Sequence, residues 1–241
     1  MLSPKPWRWE LVLQLLAGIF AAMVAGVCLA DGLHHYGVPG FQHSNSMGMI
    51  LLATLSVHGA ALVLIHFFLR QHQVTWRQAL GWGTVTVKQL VLPILGTIAF
   101  ILVSANLLET LCVNVLTRLG HPPEPQEAVQ LFSQADSKVS LVYLMVFAVV
   151  LAPVAEELIF RGILYPCLKQ LGYPKLAFLG VSLLFAAVHG SPAILLPLFV
   201  FALAQTWLYE KTDCLIAPMI THALFNLTNL IAMFATHSLS R

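Results

Sequence analysis

Val139-Ser-Leu-Val-Tyr-Leu-Met-Val-Phe-Ala-Val-Val-Leu-Ala-Pro-Val-Ala155 runs without a charged side chain and leads straight into Glu156-Glu157-Leu-Ile-Phe-Arg161. A helix needs roughly 20 apolar residues to cross a hydrocarbon core. This stretch supplies nearly that many and then places three charges against it. An ionised side chain at the centre of a bilayer helix costs about 2.5–3.5 kcal/mol, so such charges mark either a membrane interface or a site. Apolar runs of the same kind recur at 11–30, 47–69, 89–108 and 214–240. Leu176 to Tyr209 is also free of charge, but His189-Gly-Ser-Pro192 divides it into two. The fold predicted is all-α, a polytopic membrane helix bundle of about seven transmembrane helices with a polar intramembrane cavity.

Composition supports that reading. Of 241 residues, 59% are hydrophobic and 9% charged, against about 45–50% and about 25% in soluble domains. A net charge of +2 and the lack of a Lys/Arg cluster exclude a nucleic-acid partner. Cys28, Cys112, Cys167 and Cys214 are scattered without a C-x-x-C pair, which indicates neither a zinc knuckle nor a disulfide framework. The first apolar run follows Lys5 and Arg8, yet it exceeds the roughly 7–15 residues of a signal peptide core and is read as a retained span.

The Lys/Arg distribution orients the chain. With the N-terminus inside, nine basic residues fall on inner segments (Lys5, Arg8, Arg70, Arg77, Lys88, Arg161, Lys169, Lys175, Lys211) and three on outer ones (Arg118, Lys138, Arg241). The expected location is a bacterial plasma membrane, N-terminus cytoplasmic. Residues 70–88, with Trp76 and Trp82, form an inner interfacial stretch, and His121-Pro-Pro-Glu-Pro125 opens an outer loop by its turn chemistry.

Glu157 and Arg161 lie i, i+4 on one helix face and pair. Glu156 points about 100° away and cannot share that partner. Two histidines occupy apolar helical context: His189 follows Phe185 by one turn, and His222 precedes Asn226 by one turn. In a hairpin turning at Gly172-Tyr173-Pro174, Glu156 stands 16 residues before Gly172 and His189 stands 17 after it. Both are about 24–26 Å from the turn and meet at one level. Pro153, before Glu156, is read as a packing kink, as are Pro93 and Pro197.

Glu-Glu-x-x-x-Arg, Phe-x-x-x-His and His-x-x-x-Asn on successive hydrophobic segments resemble the CAAX protease and bacteriocin-processing (CPBP, or Abi) family, which includes type II CAAX prenyl proteases. The resemblance covers residues 139–230 and implies an intramembrane endopeptidase acting near the cytoplasmic face on a peptide or membrane-protein substrate. It assigns Glu156 as general base, helped by His189, and His222 with Asn226 as hydrogen-bond donors to the oxyanion. Glu157 with Arg161 positions Glu156. This divides the chain into an N-terminal transmembrane region, 1–138, and a catalytic core, 139–241. The resemblance points to metal-free chemistry, while two histidines and a glutamate are also a donor set for Zn²⁺. A bacteriocin-immunity or partner-binding protein that does no catalysis is the first alternative. An ion-coupled transporter is a weaker one, since no repeated half is visible.

Other chemistries find little support. There is no His-Glu-x-x-His, and Ser182 lacks the second glycine of a membrane serine-protease motif. Asp31, Asp136 and Asp213 are placed in loops, which removes an aspartyl dyad. His34, His35 and His43 belong to an exposed outer loop, and His58 and His66 to helix–helix hydrogen bonds. Glu109 ends the third span at the outer interface, and Trp207 and Tyr209 suit an interfacial aromatic belt. Membrane lipid is the remaining expected partner.

Overall fold

The computed structural model describes every residue except Met1, Ser44, Asn45, Thr84, residues 124–126, Asp136, Ser240 and Arg241, and omits the side chains of 127, 128 and 236–239. Among the described residues, apart from the single turn Trp76–Ala79, eight helices carry the chain: α1 (Trp9–His35), α2 (Met47–Gln71), α3 (Val87–Arg118), α4 (Glu127–Ser133), α5 (Lys138–Gln170), α6 (Pro174–Ala187), α7 (Pro192–Thr212) and α8 (Ile216–Leu239). Six of them are long and apolar enough to cross a membrane: α1, α2, α3, α5, α7 and α8. The protein is an all-α, polytopic helix bundle. The seventh expected span, α6, has 14 residues, about 21 Å of helix, and falls short of a hydrocarbon core of about 30 Å. Its apolar run ends where Gly190 takes the left-handed conformation at φ +70°.

The chain packs as two compact units. One combines residues 6–76 with 127–147, and so holds α1, α2, α4 and the start of α5. Within it α1 and α2 approach closely at Gly26, where a Cβ would stand 2.3 Å from that of Ser56. Trp7 rests on Phe68 with ring centroids 5.1 Å apart, and the Arg8 amide donates to His72 Nε2 at 3.0 Å.

The other unit joins residues 1–5, 77–126 and 148–241. The packing division therefore does not fall at residue 138. α3 groups with the motif-bearing helices because Ile98, Ile101 and Ala105 share one buried cluster with Phe185, Phe201, Ala202, Ala204 and Phe225. Between helices in lipid there is little hydrophobic drive, so close contact rests on shape, and the three alanines allow it.

Several polar residues sit elsewhere than expected. Asp31, His34 and His35 belong to α1, whose helix continues past its apolar run. Glu109 lies inside α3, nine residues before its end. Tyr209 is buried at 1% exposure under the ammonium of Lys5, 5.8 Å away, while Trp207 is exposed as the belt requires. His66 accepts from Trp76 Nε1 at 3.1 Å rather than from another span, and His58 stacks edge-on against Phe147. Asp136, residues 124–126 and Arg241, read above as loop or terminal residues, lie outside the described residues.

Two contacts fasten the end of α7. The Leu215 amide donates to Leu80 O at 3.0 Å, and beside it Gly81 is left-handed at φ +66°. A Cβ there would meet Asp213 O at 2.5 Å and Cys214 Cα at 3.0 Å, both backbone atoms. Gly81→Ala is expected to lower stability by about 1–3 kcal/mol through strain and overlap, seen as a lower midpoint in thermal melts in detergent.

Asp213 ends α7 in the left-handed region at φ 46°, which a short polar side chain tolerates. Its carboxylate accepts from the Ser3 amide at 3.2 Å and from Lys5 Nζ at 3.0 Å. Partial burial pushes this carboxyl up, but the bonds from Ser3 and Lys5 outweigh that and hold it below the usual aspartate range. A depressed folded value means stability that is fully present above the unfolded pKa of about 3.9 and is lost as pH falls through the folded value. Melts of the native protein and Asp213→Asn should therefore differ at pH 6, by at most about 1 kcal/mol, and converge once the pH has fallen through the depressed folded value.

Candidate active site

The turns of α5 that carry the first motif are not uniform α-helix. Phe147–Leu151 and Leu158–Leu164 wind as π-helix on either side of Ala152–Glu157. Pro153 has no N–H, and in the π register residue 153 would be the donor to Ala148 O. Asn226 on α8 supplies one instead, its Nδ2 2.8 Å from Ala148 O. One amide hydrogen of Asn226 is thus committed to holding α8 against the proline break, and the side-chain amide carries a second.

Glu157 and Arg161 face inward at 0% exposure. Arg161 Nη1 donates to Glu157 Oε1 at 3.0 Å and Nη2 to Ala202 O at 3.2 Å. Its guanidinium lies 4.4 Å from the Phe185 ring centroid, a cation–π contact at a fully buried position. A buried charge survives only when paired and hydrogen-bonded; these contacts pair both charges, while Glu157 Oε2 and Arg161 Nε have no hydrogen-bond partner among the described residues. The pairing expected from the i, i+4 spacing is present.

Glu157 also binds across the bundle. His222 Nδ1 donates to Glu157 Oε1 at 2.9 Å, and Gln205 Nε2 donates to it at 3.5 Å and to Pro218 O at 2.8 Å. Gln205 is fully buried and escaped the sequence reading. Its signal was a long amide in the middle of an otherwise apolar span, where polar groups must find partners.

Glu156 turns away from the pair, as its position one residue along the helix requires. Its side chain keeps 22% exposure, and its Oε2 lies 3.8 Å from His222 Nε2. His222 therefore stands between two adjacent carboxylates, Nδ1 on the buried one and Nε2 facing the accessible one. From the sequence, Glu157 pairs with Arg161 alone and Glu156 meets His189 at one level. The histidine on α8 reaches both.

His189 is the member that the structure does not bring into this group. It lies in the exposed turn just past α6 and makes no hydrogen bond or ion pair with Glu156. The level match computed from the hairpin fails as a contact because α6 stops at Ala187, and the chain bends before the ring arrives. Its Nδ1 lies 2.7 Å from Phe185 O. Facing a carbonyl, that nitrogen carries the proton, and Nε2 of the neutral ring is left as an acceptor. The link from His189 to the other residues runs through Phe185, whose centroid is 4.8 Å from that of His189 and 6.0 Å from that of His222. Among the described residues no three His, Cys, Asp or Glu side chains group to hold a metal ion, so Glu156, His189 and His222 do not form a zinc cage in this arrangement.

Against the known families, the model of the Rce1-like type II CAAX prenyl endopeptidase family matches residues 138–228. Residues 138–228 are Rce1-like. The resemblance carried by the three motifs is borne out over this segment, which is similar to that family of type II CAAX prenyl endopeptidases. The UPF0177 protein YxdF of Lactococcus lactis subsp. lactis (strain IL1403) is 37% identical over 79 residues, 32% of this chain and 43% of that protein. The match thus spans less than half the length of this curated relative. No solved structure matches the chain. The Rce1-like segment contains the whole Glu156, Glu157, Arg161, Gln205, His222 and Asn226 arrangement, as well as His189.

Proposed function

We propose that the protein is an intramembrane endopeptidase of a bacterial plasma membrane, N-terminus cytoplasmic. It hydrolyses a peptide bond of a peptide or membrane-protein substrate near the cytoplasmic face. The observation that carries this reading is the placing of His222 between a buried, paired Glu157 and a partly exposed Glu156.

In this mechanism Glu156 takes a proton from a water molecule as the water oxygen bonds to the scissile carbonyl carbon. The carbonyl electron pair moves to its oxygen. The oxyanion accepts hydrogen bonds from the open amide hydrogen of Asn226 and from His222 Nε2 in its cationic form. Donors of this kind are commonly worth about 10²–10³ in rate. Glu156 then passes the proton to the leaving nitrogen, the C–N bond breaks, and a carboxylic acid and an amine leave. Glu157, Arg161 and Gln205 act by position, since they hold His222 and the helix turn that presents Glu156. His189, with Nε2 open, accepts a hydrogen bond from the water or from the substrate.

The test is cleavage of a pooled peptide library by the full chain in detergent, followed by mass spectrometry with and without chelator. Products from the native protein that vanish with Glu156→Gln and survive chelation are the expected result. Loss with chelator would replace the metal-free water with a metal-bound one.

A second reading, a bacteriocin-immunity or partner-binding protein that does no catalysis, is favoured by the commitment of Asn226 to Ala148 and the separation of His189 from Glu156. It requires that Glu156→Gln still protects cells and that no peptide is cut.

A further inference from the structure

The unit that holds the Glu156–His222 site also has a concavity that the proposed chemistry does not use. α3, α6 and α7 enclose a groove of about 850 Å³, walled by Leu92, Gly96 and Phe100 on α3, Phe178 on α6, and Leu203 and Trp207 on α7. Leu92, Phe100 and Trp207 are exposed, and on membrane-spanning helices an exposed apolar face meets lipid. The groove runs along nine residues of α3, Leu92–Phe100, and nine of α7, Leu203–Lys211, a rise of about 12 Å.

Two polar groups interrupt these apolar walls. Lys211 lines one end, its ammonium 5.9 Å from the Trp207 ring centroid. Among the described residues it has no carboxylate partner, and the acids beside it are engaged elsewhere. Glu210 is held by Tyr165 and Lys169, and Asp213 by Ser3 and Lys5. The second group is Thr97, 4% exposed, whose hydroxyl has no hydrogen-bond partner among the described residues. Ile94 clusters with Leu208, and Ile101 with Phe201, so α3 and α7 run antiparallel. This register sets Thr97 about six residues, or roughly 9 Å, deeper than Lys211.

A cation at the mouth, a hydroxyl donor part-way in and an apolar trough beyond match one amphiphile in order: phosphate, ester carbonyl, acyl chain. We propose that this groove is a binding site for an anionic phospholipid. Its phosphate sits on Lys211, an ester carbonyl accepts from Thr97, and one acyl chain lies between α3 and α7. The inference is independent of the peptidase reading and is tested by binding, not activity.

The experiment is native mass spectrometry of the full chain in detergent, delipidated and then titrated with phosphatidylglycerol or with phosphatidylcholine of the same chains. One basic residue near a lipid surface contributes about fivefold in affinity for an anionic lipid, so phosphatidylglycerol should be retained about fivefold better. Lys211→Gln should erase that preference and leave chain binding in place. Gly96→Leu should abolish retention of both lipids. A Cβ at Gly96 meets nothing within 4 Å, so the new side chain grows into the groove, and leucine is the better helix former. Equal retention of the two lipids by the native protein, or native-like retention by Gly96→Leu with an unchanged melt, would overturn the proposal.

Discussion

Glu156→Gln is expected to lower peptide cleavage by about 10²–10⁴-fold, the range a positioned general base contributes, with binding of the peptide little changed. The amide has nearly the shape of the carboxylate but cannot take a proton from water. Glu156 is the one of the two glutamates that reaches solvent, at 22% side-chain exposure, and it is not part of the buried pair. Its replacement should leave the bundle as stable as before. Single-turnover cleavage of a defined substrate separates the two effects. A loss confined to kcat with KM preserved is the expected signature, and cleavage at the native rate removes Glu156 from the chemistry.

Arg161→Ala should act on the fold instead. It removes the cation from a carboxylate at 0% exposure, breaks the bond to Ala202 O and leaves Phe185 without the guanidinium on its face. Removing one partner of a buried ion pair costs about 3–5 kcal/mol, because the other charge is left unpaired in a medium that does not solvate it. Replacing both partners by neutral groups of similar volume avoids that penalty. Glu157→Gln with Arg161→Met should therefore melt well above Arg161→Ala alone. A melt of Arg161→Ala equal to that of the native protein would show that the pair does not hold the site.

The two substitutions separate residues that the sequence places side by side. Glu156 and Glu157 are chemically identical neighbours, and their helical offset is enough to say that they face different surroundings. Periodicity also locates Arg161 on the face of Glu157. What surrounds each face depends on helices far along the chain. His222 is 65 residues and Gln205 48 residues from Glu157, and no local pattern states that both reach the same oxygen.

Distance along a helix was a weaker guide. Counting residues from Gly172 sets Glu156 and His189 at one depth, but equal depth is not contact. α6 ends at Ala187, and the ring of His189 turns to Phe185 O. Asn226 shows the same limit from another side. Its place in the third motif is plain from sequence, whereas its bond to Ala148 answers a donor lost at Pro153 on another helix.

The sequence by itself determined the membrane bundle and the order of its helices, because charge-free runs of sufficient length have one stable outcome in lipid. It also determined the Glu157–Arg161 pair, because helical geometry brings residues four apart together. Tertiary structure alone decided that α3 packs with the motif helices, that α6 falls short of a full span, and that His222 stands between two carboxylates. Those outcomes depend on side-chain fit between segments distant in the chain, and such fit is set by the shape of the assembled bundle, not by any one segment.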